Sequence, residues 1–159
     1  MKKRILTMAT LITSLVLISS QNAQAHCEVP CGIYDDAARL EQIEEHCTTI
    51  TKAMAQITAI SSETEINHNQ LVRWINEKEA HANKIQKIVS QYFMTQRIKV
   101  LSEKDPKYKK NLENLQELHK ILVAAMKCKQ TTDVSQVIKI TKAVHNLEKV
   151  YPTKIHHKH

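Results

Sequence analysis

Glycine is almost absent from this chain, with one in 159 residues. Tight turns between strands draw on glycine for positive φ, so a hairpin-rich sheet is excluded. A glycine-rich phosphate loop needs several glycines in one turn, so nucleotide folds of that kind are excluded too. Aromatic residues are few, at one Trp, four Tyr and one Phe. Lys107, Lys109 and Lys110 therefore read as a solvated helix start, because a nucleic-acid patch needs more charge and interleaved aromatics. Only four cysteines and three prolines are present, against 42% apolar and 25% charged residues. That balance excludes a disordered chain, a collagen-like repeat and a disulfide-dense miniprotein. No internal repeat and no period-2 alternation is visible. What remains is a mostly helical single domain.

The first 25 residues stand apart from it. Lys2, Lys3 and Arg4 form a basic head, Ile5–Ser20 an apolar stretch, and Ala23-Gln24-Ala25 a small-x-small end. This is the pattern of a secretory signal that signal peptidase removes. The stretch is short for a bilayer span and carries Thr7, Thr10, Thr13 and Ser14. Cleavage after Ala25 leaves no membrane anchor and predicts a secreted or periplasmic protein. It also takes the formal charge from +7 to +4, since three basic residues leave and no acidic one does.

The rest reads as four helices. Leu40, Ile43, Cys47, Ile50, Met54 and Ile57 form a heptad seam over about 36–60, with Asp35 as N-cap. A second helix is expected over about 65–98, with Leu71, Ile75, Ala82, Ile85, Val89 and Tyr92 on one face and the Lys78 stem filling the missing seam position. Asp105-Pro106 is expected to start the third, as cap and first helical residue. Its stripe is Tyr108, Leu112, Leu115, Leu122 and Met126, with Leu118 beside it. Asp133-Val134-Ser135-Gln136 resembles a capping box for the fourth, whose seam is Val137, Ile140, Val144, Leu147 and Tyr151. Short connections predict an all-α, antiparallel up-down-up-down four-helix bundle over 35–152 with an N-terminal metal-binding hook. Residues 153–159 form a His-rich tail expected to be disordered.

The chemistry is concentrated in residues 26–34, His-Cys-Glu-Val-Pro-Cys-Gly-Ile-Tyr. Cleavage would give His26 a free α-amine, with an ordinary pKa of about 8. That amine and the backbone nitrogen of Cys27 close a five-membered chelate ring. The Cys27 thiolate extends it, and the Cys31 thiolate returns from a turn to a fourth in-plane position. Two nitrogens and two sulfurs in a plane suit copper(II) or nickel(II), whereas zinc prefers a tetrahedron. The His26 imidazole is placed for a fifth, axial position. Pro30 and Gly32 make the turn that folds Cys31 back, and here the only glycine supplies a tight backbone conformation.

The run His-Cys-x-x-Pro-Cys-Gly-x-Tyr at a processed N-terminus resembles the nickel hook of nickel-containing superoxide dismutases. The resemblance implies an antiparallel four-helix bundle, a homohexamer and one nickel ion per subunit. It implies disproportionation of superoxide to oxygen and hydrogen peroxide by Ni(II)/Ni(III) cycling. His26, Cys27 and Cys31 would be the ligands, and the anionic thiolate and amidate donors would stabilise the trivalent state. Tyr34 would sit at the open face and guide superoxide or water, and Pro30 would be cis. The family orients its axial histidine with a glutamate on the first helix and an arginine on the second. Glu41, in Arg39-Leu40-Glu41, and Arg73, beside Trp74, are the candidates. The family's lysine after a Tyr-Phe pair is missing, since Met94 follows Tyr92-Phe93, and Arg97 or Lys99 is the candidate replacement. Glu28 and Val29 stand where Asp-Leu is commoner.

Two other readings fit the same residues. One is an exported helical nickel- or copper-binding protein, or metallochaperone, without turnover. The other is a structural bundle with a Cys27–Cys31 disulfide. Cys47 and Cys128 are either buried thiols or a disulfide pair. Trp74 and Tyr92-Phe93 read as packing or a subunit interface. The His156, His157 and His159 tail reads as exposed surface or a weak metal-delivery segment.

Overall fold

The computed structural model describes residues 34–151. Among them the structure is helical throughout, with no strand. Helix α1 is Asp36–Ser61, α2 is His68–Lys87, α3 is Tyr108–Gln130 and α4 is Ser135–Glu148. Helix α2 runs without a break into a π-helical segment, Ile88–Arg97. Contacts join α1 to α2, α2 to α3, α3 to α4 and α4 to α1. No helix among the described residues is long and apolar enough to cross a membrane.

Helix α1 begins where its cap allows. The Asp35 carboxylate accepts from the Ala38 N–H at 3.2 Å, pairing one of the orphan donors of the first turn. Leu40, Ile43, Cys47, Ile50, Met54 and Ile57 are all buried, as the heptad predicts. The helix also tolerates Thr48, Thr49, Thr51 and Thr58, whose hydroxyls donate to the carbonyls one turn back. It ends without glycine: the Ser62 N–H and hydroxyl both donate to the Ala59 carbonyl.

Two helix starts lie later than expected. Helix α2 begins at His68, three residues later than expected, because the Asn67 side chain accepts from the Gln70 N–H at 3.1 Å and caps it there. Helix α3 begins at Tyr108. Asp105 instead closes a turn around Pro106, its carboxylate taking the Lys107 N–H at 2.8 Å and its carbonyl the Tyr108 N–H at 2.9 Å. Asp133 precedes α4 as expected, accepting from the Ser135 N–H at 2.9 Å. The Gln136 side-chain amide donates to the Asp133 carboxylate at 3.1 Å, and its backbone N–H donates to the Asp133 carbonyl at 3.2 Å.

The α3 stripe differs more. Its buried residues are Asn114, Leu118, Ile121, Ala124, Ala125 and Cys128, whereas Leu112 and Met126 are each 41% exposed. The helix has apolar residues on two sides, and the side with Ala124 and Ala125 lets its neighbours approach closely. Its last carbonyls are capped from α2. Lys78 is 5% exposed, and its ammonium donates to the Lys129 and Thr131 carbonyls at 2.7 and 3.2 Å. The core is otherwise closed by Phe93, Ile85, Ile121, Ile140 and Leu147, all fully buried.

Candidate metal centre

Residues His26, Cys27, Pro30, Cys31 and Gly32 lie outside the described residues. Tyr34 is the first one inside them, half-buried and packed against the core. What surrounds it is a cluster of rings and charges drawn from three parts of the fold. The Arg97 guanidinium lies 4.4 Å from the centre of the Tyr34 ring, and the Tyr92 ring meets Tyr34 edge-on at 6.0 Å. Phe93 packs on Tyr92 at 5.0 Å and on Tyr151 at 5.5 Å. The Arg39 guanidinium lies 5.4 Å from the centre of the Tyr92 ring.

One carboxylate organises these groups. Asp36 opens α1, where the helix dipole favours negative charge. Its Oδ1 accepts from the Tyr92 hydroxyl at 2.7 Å and its Oδ2 from Arg97 Nη2 at 2.8 Å. Burial pushes the Tyr92 phenol well above its ordinary pKa, and the Asp36 carboxylate adds to the shift. Burial works against the Arg97 charge, but Asp36 outweighs it and holds the guanidinium pKa above its usual value. Burial also raises the Tyr151 phenol. Tyr92, Tyr151 and Arg97 therefore keep their protons at neutral pH.

The π-helical segment sets which side chains reach Asp36. Its closures run to the fifth residue back: Ile98 N–H to the Phe93 carbonyl at 2.9 Å, with the Thr95 hydroxyl and the Gln96 amide reaching Ser90 and Gln91 at 2.7 and 3.1 Å. Tyr92 and Arg97, five apart, thereby meet on one carboxylate. A 3.6-residue reading places them on different faces. That is why Asp36 escaped the sequence reading as a partner of Tyr92 and Arg97, while Tyr151 entered it only as a seam residue of the fourth helix and Arg97 only as one of two lysine replacements.

Glu41 and Arg73, the candidate orienting pair, are both exposed. Among the described residues neither makes a hydrogen bond or ion pair to the Tyr34 cluster. Arg73 lies in the first turns of α2 and Arg97 closes the π-helical segment, roughly 30 Å or more apart along one continuous helix. Trp74 belongs to that distant end, with the Lys52 ammonium 5.8 Å over its ring. Tyr92 and Phe93 are core residues.

The donor chemistry can be tested on the remaining cysteines. Cys47 and Cys128 are free, buried thiols. Burial pushes Cys47 up to about 12, with the neighbouring Cys128 adding to it, and burial pushes Cys128 up to about 11. Thiols held that high are poor metal ligands, because the thiolate is the ligating form. The other two cysteines, Cys27 and Cys31, lie outside the described residues. Among the described residues no group of three or more His, Cys, Asp or Glu side chains is placed to hold a metal ion.

A helical bundle with a cationic, aromatic cluster at the head of its first helix is the class these residues define. A family model for nickel-containing superoxide dismutase matches residues 21–154, and the chain belongs to that family. It is therefore a nickel-containing oxidoreductase whose substrate is superoxide. No curated protein and no solved structure matches the chain.

Proposed function

We propose that this dismutase works from a processed N-terminus at His26, with one nickel ion per subunit held by the hook 26–34. The observation that carries the proposal is the junction at Tyr34. The sequence run of donors ends on a residue whose ring packs against Arg97, and Arg97 is paired with Asp36 at the head of α1. In this reading the His26 amine, the Cys27 amide nitrogen and the Cys27 and Cys31 thiolates would hold the metal, with the His26 imidazole as a further ligand. Pro30 and Gly32 shape the turn. Bound nickel would supply one-electron cycling between its divalent and trivalent states. The family resemblance would give the Tyr34 phenol the task of ordering superoxide or water. Glu41 and Arg73 remain the family-based candidates for orienting the His26 imidazole, and since they are absent from the Tyr34 cluster, that role does not run through it.

The bundle reads as up-down-up-down. The start of α1 meets the end of the π-helical segment through Asp36 and Arg97, and the later part of α1 meets the start of α2 through Lys52 and Trp74. Residues 1–25 serve as a signal removed by signal peptidase, which places the enzyme in a secreted or periplasmic compartment. Family resemblance supports a homohexamer.

The processing demand is the sharpest test. A chain beginning at His26 and one with a single added alanine should be loaded with nickel and assayed for superoxide loss. The added residue turns the α-amine into an amide and displaces the imidazole. Activity should fall by at least about 100-fold, the scale reported for losing one electrostatic catalytic group. The paramagnetic Ni(III) signal should disappear with it, and equal activity in the two chains would sink the hook mechanism.

A further inference from the structure

The linker after the π-helical segment packs on the start of α3 and leaves a cavity of about 390 Å³. Asn111 fixes the linker to the helix: its side chain accepts from the Lys99 N–H at 3.1 Å and donates to the Lys99 carbonyl at 2.8 Å. Arg97, Lys99, Lys107 and Lys110 line the cavity, and among the described residues Asp105 is the one carboxylate in its wall. Asp105 already accepts from the Lys107 N–H at 2.8 Å. Lys110 has only an exposed ion pair with Glu113 at 3.5 Å. Arg97 donates to Asp36 through Nη2, and among the described residues its Nη1 has no acceptor.

Two neutral donors line the same space. Asn114 is 8% exposed, yet its side-chain amide makes no hydrogen bond among the described residues. The Tyr151 hydroxyl has no hydrogen bond among them either, and burial raises its pKa, so it stays a donor. A buried amide without a partner is costly, and a leucine at position 114 would fill the same place without that cost. Four cations gathered around one occupied carboxylate also repel one another. Entry of a multivalent oxyanion relieves both costs at once. The volume falls in the range of small-molecule sites, and Leu101 and the Tyr151 ring give the cavity an apolar side.

We propose that this cavity is a binding site for a phosphate group, carried by the free ion or by a small phosphate monoester. Arg97 and the three lysines neutralise its charge, and Asn114 and Tyr151 donate to its remaining oxygens. A carboxylate ligand brings one charge and two oxygens, too few for these donors, whereas a phosphate brings nearly two charges and at least three oxygens. The site stands apart from the hook 26–34, and nickel takes no part in it.

Inorganic phosphate and glycerol phosphate are titrated separately into nickel-loaded protein, with sodium chloride at matched ionic strength as the reference. The readouts are the side-chain amide NMR resonances of Asn114 and the Tm. Phosphate should move those resonances saturably, and at about ten times its Kd it should raise the Tm by about 4 °C. Chloride should do neither. Tighter binding of glycerol phosphate assigns the site to a monoester, and equal or weaker binding assigns it to the free ion. Lys107→Gln/Lys110→Gln should weaken phosphate binding by about tenfold. Asn114→Leu should weaken it by about tenfold too, while holding or raising the Tm in phosphate-free buffer, which the loss of a structural asparagine would not do.

Asn114 resonances that respond to phosphate no more than to chloride would overturn the site, as would unchanged affinity in the two variants. If Asn114→Leu fails to fold, the exposed lysine pair carries the affinity test alone. Neither readout measures turnover, so a failure of the hook mechanism leaves both intact.

Discussion

Two cations on one continuous helix, Lys78 and Arg97, are stabilised in opposite ways. Lys78 is buried and spends its ammonium on two backbone carbonyls that end α3. Around it Lys129 bonds Asn83 and Gln86, and Gln86 bonds the Leu122 carbonyl at 3.3 Å, so the polar groups there pair with one another. Arg97 takes one carboxylate and two rings, and its Nε has no acceptor among the described residues. The first arrangement closes a helix end that would otherwise expose orphan carbonyls to the core. The second keeps charge and a donor in reserve beside Tyr34. The two cations therefore differ in how fully their donors are spent among the described residues.

Substitutions break this contrast in order of size. Phe93→Ala should cost most, about 3–5 kcal/mol, because a fully buried ring is lost from between Tyr92 and Tyr151. Urea unfolding measures it, and a cost under about 1 kcal/mol would mean that the Arg97 end is not anchored through the core. Lys78→Met keeps the stem and removes the amine, leaving the α3 carbonyls unpaired. It should cost about 1–3 kcal/mol while leaving activity per bound nickel as in wild type. A loss of activity at full nickel content would place Lys78 with Arg97 rather than opposite it.

The smallest effect concerns a third cationic group on the α1–α2 face. His46 and His81 pack edge-on at 4.9 Å, with the Lys84 ammonium 3.4 Å from His81 and the Glu77 carboxylate 3.5 Å from it. Burial, and then the neighbouring positive charges, hold both imidazoles below their ordinary 6.5, while Glu45 and Glu77 pull the other way. The unfolded chain therefore takes up protons first. The contribution to stability is whole above 6.5 and is lost as the pH falls through the lowered folded values. Asp133 and Glu117, held below 3.8 and 4.5, act in the same direction only at lower pH. The Tm should thus drop between about pH 7.5 and about pH 5.5, and His81→Gln should flatten that drop. An equal drop in the variant would remove the pair as its cause.

Much of the fold was legible because it is periodic. The α1 seam from Leu40 to Ile57 and the α4 seam from Val137 to Leu147 needed no partner to be identified, since only one side of each helix is apolar. Helix α3 was not legible in that way. Leu112, Leu122 and Met126 outweigh Ala124, Ala125 and Cys128 by size, yet the smaller residues are buried because only they let the neighbouring helices come close. The Tyr34 cluster was hidden for a different reason. Asp36 bonds Tyr92 and Arg97 across 56 and 61 residues, and a π-helical spacing replaces the period used to assign faces.

By itself the sequence determined the helical class, the donor run His26–Tyr34 and the family to which it points. Chelate rings, caps and seams are made by residues close together in the chain, so their chemistry can be read in order. Tertiary structure alone decided which side of α3 faces the core and which cation lies over Tyr34. Those choices depend on how closely separate helices approach, and that is a property of packing between segments rather than of either segment.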